Sequence, residues 1–137
     1  MERRLNLAVI GVGGRGKEVL GGAFVENVVA IADVDEDFLR KAALRCCGET
    51  KLYNDYRRLL EENYTRLDGV VVNTPDHTHF PISMLAMEYG LHVYCEKPLA
   101  HSVRECRLMA EKAREKRLLP RPECKCTLWK ITAGWWR

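Results

Sequence analysis

The chain has 137 residues, of which 47% are hydrophobic and 30% are charged, and it carries a net charge of +3. This length and composition predict one folded domain and exclude a disordered chain. The small charge, with basic residues mostly beside acidic ones, argues against a nucleic-acid partner. No apolar run is long enough for a membrane span, so no membrane partner is expected. Six cysteines without an export signal predict reduced thiols and a cytoplasmic location.

Continuous apolar runs predict four buried strands, at 5–10, 28–32, 69–73 and 91–95. Between and after them, apolar residues recur at helical spacing and predict helices at 14–24, from the cap Asp35 to the stop Gly48, at 53–63, at 77–89 and from 103 to about 116. Gly90 is predicted to end the fourth helix. Ser102 and Glu105 form a capping box in front of the last one.

Strands that are apolar throughout, in alternation with helices, are typical of a parallel sheet covered on both faces. We therefore predict an α/β fold of the Rossmann type, a doubly wound parallel sheet with right-handed crossovers.

A glycine-rich segment, GVGGRG at 11–16, follows the first strand directly and opens the first helix. In that context the pattern G-x-G-x-x-G predicts a loop and helix end that hold a pyrophosphate. The first glycine would permit the turn, the second the approach of the ligand, and the third close packing of the helix. The alternative is a tight structural turn. The candidate cofactor residues here are Gly11, Val12, Gly13, Gly14, Arg15 and Gly16.

Asp33 follows the second strand, 22 residues after Gly11. A carboxylate there can accept hydrogen bonds from both hydroxyls of an adenosine ribose, and it would repel a 2′-phosphate. We therefore expect NAD rather than NADP as the cofactor. The structural alternative for this residue is a helix-capping acid.

The third and fourth strands end in unusual segments, Asn73-Thr74-Pro75 and Glu96-Lys97-Pro98. Ligands of parallel sheets bind beyond the carboxyl ends of the strands. A lysine and a glutamate at the mouth of an apolar sheet are costly without partners or a substrate. Both segments are therefore candidates for a binding site.

Four segments in order, AVIGVGGRG, ADVDEDFLRKAA, VVVNTPDHTHF and GLHVYCEKPLA, resemble the N-terminal domain of the Gfo/Idh/MocA family of oxidoreductases. The resemblance covers residues 5 to about 119, and the combination of TPxxxH, EKP and the glycine loop is its most specific part. It implies a nicotinamide dinucleotide in this domain and hydride transfer at CH–OH groups of sugars or cyclitols. It also implies a homo-oligomer, and a minority of the family are NAD-dependent glycosidases.

The resemblance also implies roles for individual residues. Lys97 would lie near the nicotinamide and the reacting carbon and would stabilise or move a proton of the substrate hydroxyl, in a motif where the family often has a cis proline bond. Glu96 would orient the site or contact ribose, and His79 would support the cofactor loop. The remaining cofactor residues would be Asn73, Thr74, Pro75 and Pro98. The alternatives are a surface charge for Lys97 and a capping or packing role for His79.

Histidines and cysteines in the body of the chain lack zinc-type spacing, so no metal is expected. Proteins of the family continue much further, with more strands and a second α/β domain that supplies most substrate contacts. We therefore expect residues 1–120 to be a cofactor domain with an incomplete sheet, without the C-terminal substrate domain and inactive by itself. The alternatives are a non-catalytic nucleotide-binding or regulatory domain and a fragment of an NAD-dependent glycosidase.

The last segment, 121–137, includes ECKCTLWKITAGWWR and predicts neither the strand nor the helix that the family pattern requires next. A shifted grouping of the coding bases permits MQMHxLENYRRVVE from Glu123, which resembles the family's continuation. We therefore interpret 121–137 as an aberrant tail that is read out of frame.

Overall fold

A computed structural model describes residues 4–46 and 48–118 of the chain. Within them, five parallel strands form a sheet with the order β3-β2-β1-β4-β5. The strands are β1 (Asn6–Ile10), β2 (Asn27–Ala32), β3 (Lys51–Tyr53), β4 (Gly69–Val72) and β5 (His92–Cys95). The α-helices are α1 (Gly16–Ala23), α2 (Glu36–Ala43), α3 (Tyr56–Asn63), α4 (His79–Glu88) and α5 (Val103–Glu115). Short 3-10 turns occupy Tyr64–Arg66 and Asp76–Thr78.

Two buried clusters cover the two faces of the sheet. One cluster joins α1 and α2 to the strands through Leu20, Leu39, Leu7, Val9, Ile31 and Val71. The other joins α3, α4 and α5 to the opposite face through Leu59, Ile82, Met109, Ala8, Ala30 and Val70. Since successive strand residues face opposite sides, both faces need apolar residues and the strands are apolar throughout. The predicted Rossmann-type, doubly wound parallel sheet is confirmed.

The prediction missed one strand and placed one helix boundary wrongly. Tyr53 is the last residue of β3 and pairs with Ala32, whereas α3 begins only at Tyr56. Lys51 and Leu52 are exposed because β3 lies at the edge of the sheet. A three-residue edge strand with two exposed residues has no apolar run that would mark it.

Boundaries of α1, α2 and α4 also differ from the prediction. Helix α4 begins at His79 rather than at 77, because Asp76–Thr78 form a 3-10 turn. Helix α1 begins at Gly16 rather than Gly14, because Gly14 has a left-handed backbone with φ +47°. Helix α2 ends at Ala43, so the predicted stop Gly48 lies beyond it and Cys46 is not a helical position. The Cys46 side chain still packs against the cluster that α2 covers.

Helices α4 and α5 end in the same backbone motif. After α4, Gly90 has φ +76°, and the N–H of Leu91 donates to the carbonyl of Ala86 at 3.1 Å. After α5, Arg117 has φ +55°, and the N–H of Leu118 donates to the carbonyl of Ala113 at 2.9 Å. These are Schellman motifs, which favour glycine at the left-handed position. Gly90 as the end of its helix is confirmed, as is the capping box at the start of α5.

The pairing of β1 with β2 contains an irregularity. Leu7 pairs with Val28, but Ala8 pairs with Ala30, so Val29 has no counterpart on β1. Strand β2 therefore uses six residues along the five residues of β1. As a result, Ile10 pairs with Ala32, and the two strands end level with each other.

Strand β1 lies at the centre of the sheet, between β2 and β4. The chain leaves β1 for α1 on one face and leaves β4 for α4 on the other face. Neighbouring loops that turn to opposite faces open a crevice at the carboxyl ends of the strands, where doubly wound sheets bind ligands. In the described ranges, no helix has the length and apolar character needed to cross a membrane.

Candidate functional site

The turn after β1 is packed too tightly for side chains at two of its glycines. A Cβ added at Gly11 would lie 2.8 Å from the carbonyl carbon of Asn73, and Gly11 has φ +84°. A Cβ added at Gly16 would lie 2.0 Å from the carbonyl oxygen of Gly11. Contacts this short are not tolerated, so the geometry of the turn itself requires both glycines.

The carboxylate of Asp33 is bound to this turn. Its Oδ2 accepts the N–H of Val12 at 2.8 Å and that of Gly13 at 3.2 Å, and its Oδ1 accepts the N–H of Asp35 at 3.0 Å. Since each carboxylate oxygen can accept two hydrogen bonds, Oδ1 retains one position for a hydroxyl. The capping residue of α2 is Asp35, which accepts the N–H of Asp37 at 2.8 Å. The interpretation of Asp33 as the helix cap is therefore wrong.

Two amides at the start of α1 have no hydrogen-bond partner among the described residues. Neither Gly14 nor Arg15 donates its backbone N–H to an acceptor in ranges 4–46 and 48–118. A Cβ added at Gly14 would meet nothing within 4 Å, so the space beside it is open. The Arg15 side chain is exposed and pairs with Glu18. Unpaired amides at the amino end of a helix, beside a tight glycine turn, fit the pyrophosphate of a dinucleotide.

Gly13 packs against a ring of α2. A Cβ added there would lie 2.5 Å from the Phe38 ring. The lack of a side chain at Gly13 therefore makes room for this ring, in addition to any room that it makes for a ligand. Phe38 is 41% exposed, and Val34, directly after Asp33, is 89% exposed. Exposed apolar side chains beside the carboxylate suit a flat base such as adenine.

Asn73 joins the loop after β4 to the turn after β1. Its backbone N–H donates to the carbonyl of Ile10 at 2.8 Å, and its Nδ2 lies 3.4 Å from the carbonyl oxygen of Gly11. Its Oδ1 is buried and has no hydrogen-bond partner among the described residues. Asn73 therefore braces the glycine turn, and its contact with a cofactor stays a prediction.

His79 is 1% exposed and lies between the loops that follow β4 and β5. Its Nε2 is 2.7 Å from the carbonyl oxygen of Thr74, and its Nδ1 is 2.6 Å from that of Pro98. The hydroxyl of Thr78 lies 2.7 Å from that of Thr74 and orders the same loop. Pro75, between them, is exposed. The histidine thus brings together two segments that the sequence marked separately.

The fourth strand end carries Glu96, Lys97 and Pro98. The N–H of Glu96 continues the sheet by donating to Val72 at 2.9 Å, and its Oε1 accepts the hydroxyl of Tyr94 at 3.0 Å. Burial and this hydrogen bond to the carboxylate raise the pKa of Tyr94. Lys97 is exposed, makes no ion pair with another described residue, and precedes a cis bond to Pro98, as the family resemblance implies.

Sequence reasoning missed two polar residues of the site, Tyr94 and Thr78. Tyr94 precedes Glu96 by two positions on an extended segment, so both side chains leave the same face. That alternation could have predicted their hydrogen bond. Thr78 stands four residues after Thr74 at a helix start, where hydroxyls commonly bind nearby backbone groups.

No group of three or more histidine, cysteine or acidic side chains in the described part of the chain could hold a metal ion. The predicted domain end at 120 and the interpretation of 121–137 as an aberrant tail lie outside the described residues.

Comparison with known proteins gives the site its context. The family model described as "Oxidoreductase family, NAD-binding Rossmann fold" matches residues 5–121. An inositol 2-dehydrogenase of Klebsiella pneumoniae is 36% identical over 114 residues, which are 78% of this chain and 32% of that protein. A glycosyl hydrolase family 109 protein of Stenotrophomonas maltophilia is 34% identical over 108 residues, 69% of this chain and 23% of that protein.

Among solved structures, the myo-inositol 2-dehydrogenase of Lactobacillus plantarum superposes with a TM-score of 0.75 at 26% identity, covering 83% of this chain and 34% of that one. The chain therefore spans about a third of the length of the dehydrogenases that it matches. Since the family model covers most of the sequence, the chain belongs to the Gfo/Idh/MocA family of oxidoreductases, and residues 5–121 match its NAD-binding Rossmann domain.

Proposed function

We propose that this chain binds NAD in the crevice between the loops after β1 and β4. The observation that carries the proposal is the glycine turn, held by Asp33, with two amides at the start of α1 that have no acceptor in the described part of the chain. The amides of Gly14 and Arg15 would bind the pyrophosphate. The open acceptor position on Asp33 Oδ1 would bind a ribose hydroxyl, and Val34 would contact the base.

The charge of the loop after β2 favours NAD over NADP. Asp33, Asp35, Glu36 and Asp37 place four carboxylates within five residues. Sites for NADP commonly provide an arginine for the 2′-phosphate, whereas a carboxylate repels that group. None of residues 33–37 is basic.

The chemistry that we propose for the full-length protein is hydride transfer at a CH–OH group of a cyclitol or sugar. NAD would supply the hydride acceptor. Lys97 would hold or move the hydroxyl proton, and its exposure at the mouth of the sheet leaves it accessible to a substrate. Glu96, oriented by the hydrogen bond from Tyr94, would position the reacting groups. The inositol dehydrogenases among the relatives support this substrate class.

For these 137 residues by themselves we propose NAD binding without turnover, since the chain covers about a third of the relatives' length. A second candidate is a part of an NAD-dependent glycosidase, which the similarity to a glycosyl hydrolase family 109 protein favours. Both candidates share the NAD site and differ in the substrate.

Titration calorimetry of the chain with NAD and with NADP tests the shared premise. We expect heat of binding with NAD and weaker binding of NADP, and no heat at millimolar NAD would overturn the proposal. Incubation with NAD and myo-inositol then tests turnover, which would show as NADH absorbance. Release of nitrophenol from an aryl glycoside by the full-length protein would favour the glycosidase.

A further inference from the structure

We infer that Tyr53 is a positioning residue for Asp33, the acid that is proposed to bind the ribose of NAD. The hydroxyl of Tyr53 attaches the end of β3 to α3, and its backbone carbonyl holds the peptide group through which the chain enters Asp33. The inference rests on the proposed function for the role of Asp33. It extends that function to a residue that contacts neither cofactor nor substrate.

The peptide group between Ala32 and Asp33 is held on both sides. Its carbonyl oxygen accepts the N–H of Gly11 at 2.8 Å, and its N–H donates to the carbonyl of Tyr53 at 3.1 Å. Because a peptide group is planar, these two hydrogen bonds together fix the direction in which the chain enters Asp33. From that position the carboxylate reaches the amides of the glycine turn. Tyr53 therefore supplies one of the two backbone contacts that place the acid.

Tyr53 also provides the buried side chain of β3. The strand has three residues at the edge of the sheet, and its other two, Lys51 and Leu52, are exposed. Tyr53 is 9% exposed and packs in the cluster that α3, α4 and α5 cover. The hydroxyl of Thr50, before the strand, donates to the carbonyl of Val28 at 2.9 Å and holds the opposite end. The place of the Tyr53 carbonyl thus depends on the Tyr53 side chain.

The hydroxyl of Tyr53 has a defined donor and a defined acceptor on α3. Asn63 is fully buried, and its Nδ2 lies 2.9 Å from the Tyr53 hydroxyl and 2.8 Å from the carbonyl oxygen of Leu59. A carbonyl oxygen only accepts, so the amide must present its nitrogen to Leu59, and the second N–H of that nitrogen goes to the Tyr53 hydroxyl. The single proton of the hydroxyl is then donated to Oε2 of Glu62 at 2.8 Å.

The two ionisable groups of this contact have the required forms at neutral pH. Burial raises the pKa of Tyr53, so the hydroxyl keeps the proton that it donates. The hydrogen bond from Tyr53 lowers the pKa of Glu62, so the carboxylate remains an ionised acceptor. Arg58 pairs with the other oxygen of Glu62 at 3.3 Å and leaves the Tyr53 contact intact. A phenylalanine at 53 would keep the ring and lose both contacts to α3.

Hydrogen exchange of single amides, followed by NMR without NAD, tests the attachment in the variant Tyr53→Phe. The N–H of Asn73, which donates to the carbonyl of Ile10 on the other side of β1, is the internal reference. A general loss of stability accelerates both amides alike. We expect the exchange rate of the Asp33 N–H relative to that of Asn73 to rise about fivefold, the effect of weakening one hydrogen bond. An unchanged ratio would overturn the inference, whether or not the chain binds NAD.

Tyr56→Phe is the matched control. Tyr56 is partly buried against the same cluster, and its hydroxyl makes no hydrogen bond with another described residue. The same oxygen atom is removed, so the exchange ratio should stay that of the parent, and an equal rise would overturn the inference. If Tyr53→Phe does not fold, Glu62→Ala removes the acceptor of the hydroxyl from a half-exposed side chain. The ratio should then rise in that variant, and its failure to rise would be equally decisive.

Calorimetry with NAD tests the consequence for the cofactor. We expect Tyr53→Phe to bind NAD about fivefold more weakly than the parent, and Tyr56→Phe to bind it equally well. In a chain that already carries Asp33→Asn, Tyr53→Phe should cause little further loss, because both changes act through one side chain. Unchanged affinity in Tyr53→Phe, or losses that multiply in the double variant, would overturn the positioning role. If the parent binds no NAD, the proposed function fails, and the exchange ratio still decides whether Tyr53 holds Asp33.

Discussion

Asp33 Oδ2 accepts the backbone N–H of Val12 at 2.8 Å, so the end of β2 holds the turn that follows β1. The same oxygen also accepts the N–H of Gly13. An acid that is proposed to bind ribose is therefore already part of the protein's own structure. Changes at Asp33 should affect the turn and the cofactor together.

Replacement of Asp33 by asparagine should weaken NAD binding about tenfold, because a charged acceptor is lost while a neutral one remains. The ratio of the affinities for NAD and NADP should also decrease, since the carboxylate that repels a 2′-phosphate is gone. Calorimetry with both dinucleotides measures the two effects. Asp37→Asn, on the exposed first turn of α2, is the control, and an equal loss of affinity in it would contradict the assignment.

Gly16→Ala should destabilise the fold by about 3 kcal/mol or more, because the new Cβ would lie 2.0 Å from the carbonyl oxygen of Gly11. Gly14→Ala adds the same methyl group where nothing lies within 4 Å, and its left-handed backbone should cost only about 1 kcal/mol. Urea unfolding followed by circular dichroism gives both values. An equal decrease in the free energy of unfolding in both variants would show that the turn is not packed as described.

The ends of α4 and α5 offer a pair of opposite substitutions. Arg117→Gly should stabilise the chain by about 1 kcal/mol, because a non-glycine residue at φ +55° is relieved. Gly90→Ala should destabilise it by about the same amount, since φ is +76° there. Thermal unfolding measures both shifts. If both substitutions raised the thermal stability, or both lowered it, the assignment of Schellman motifs to these two helix ends would be contradicted.

The ion pair between Glu88 and Lys112 predicts a pH effect on stability. The two side chains lie 2.9 Å apart and join α4 to α5. The hydrogen bond from Lys112 lowers the pKa of Glu88 below its usual 4.5. A carboxyl group with a lowered folded-state pKa stabilises the fold above its unfolded value and loses that contribution as pH falls through the folded value.

Glu88→Gln should therefore reduce the loss of stability that the parent chain shows on acidification below pH 4.5. Urea midpoints measured at neutral and acidic pH give the difference between the two chains. Glu61→Gln, on the exposed side of α3, should leave the acid dependence as it is in the parent. An unchanged dependence in Glu88→Gln would mean that the pair contributes nothing.

Cys95 should resist alkylation in the folded chain. Burial raises the pKa of its thiol to about 12, and the thiolate is the reactive form. Cys95 and Cys106 are both partly exposed, but we expect iodoacetamide at mildly alkaline pH to label Cys106 well before Cys95 because the pKa of the Cys95 thiol is raised. Mass spectrometry of tryptic peptides shows the order of labelling. In urea the two rates should become similar, and rapid labelling of Cys95 in the folded chain would contradict the raised pKa of its thiol.

The sequence predicted the large features because each has a local cause. Continuous apolar runs marked four of the five strands, and the spacing from Gly11 to Asp33 predicted that both would lie at the same edge. The missing strand β3 has two exposed residues out of three, so its pairing with β2 depends on its neighbours rather than on its own pattern.

Local sequence patterns could not predict contacts between loops that are distant in the chain. His79 and Pro98 are 19 residues apart, and nothing in either segment indicates that a ring nitrogen of one meets the carbonyl of the other. Arg117 likewise gave no sign of a left-handed backbone, since such helix ends usually carry glycine. The hydrogen bond from Tyr94 to Glu96 could have been predicted, because residues two apart on an extended segment face the same side.

The unpaired residue Val29 in β2 has a consequence for how this domain tolerates changes of length. It acts as a one-residue spacer that lets six residues of β2 end level with five of β1. The alignment of Gly11 with Asp33 is thus fixed inside the sheet and not by the helix that connects the strands. Insertions in the connection at 24–26 should leave the alignment intact. Removal of the spacer from β2 would force the strand to slip or rebuild its pairing with β1, and would misalign Asp33 with the glycine turn that it holds.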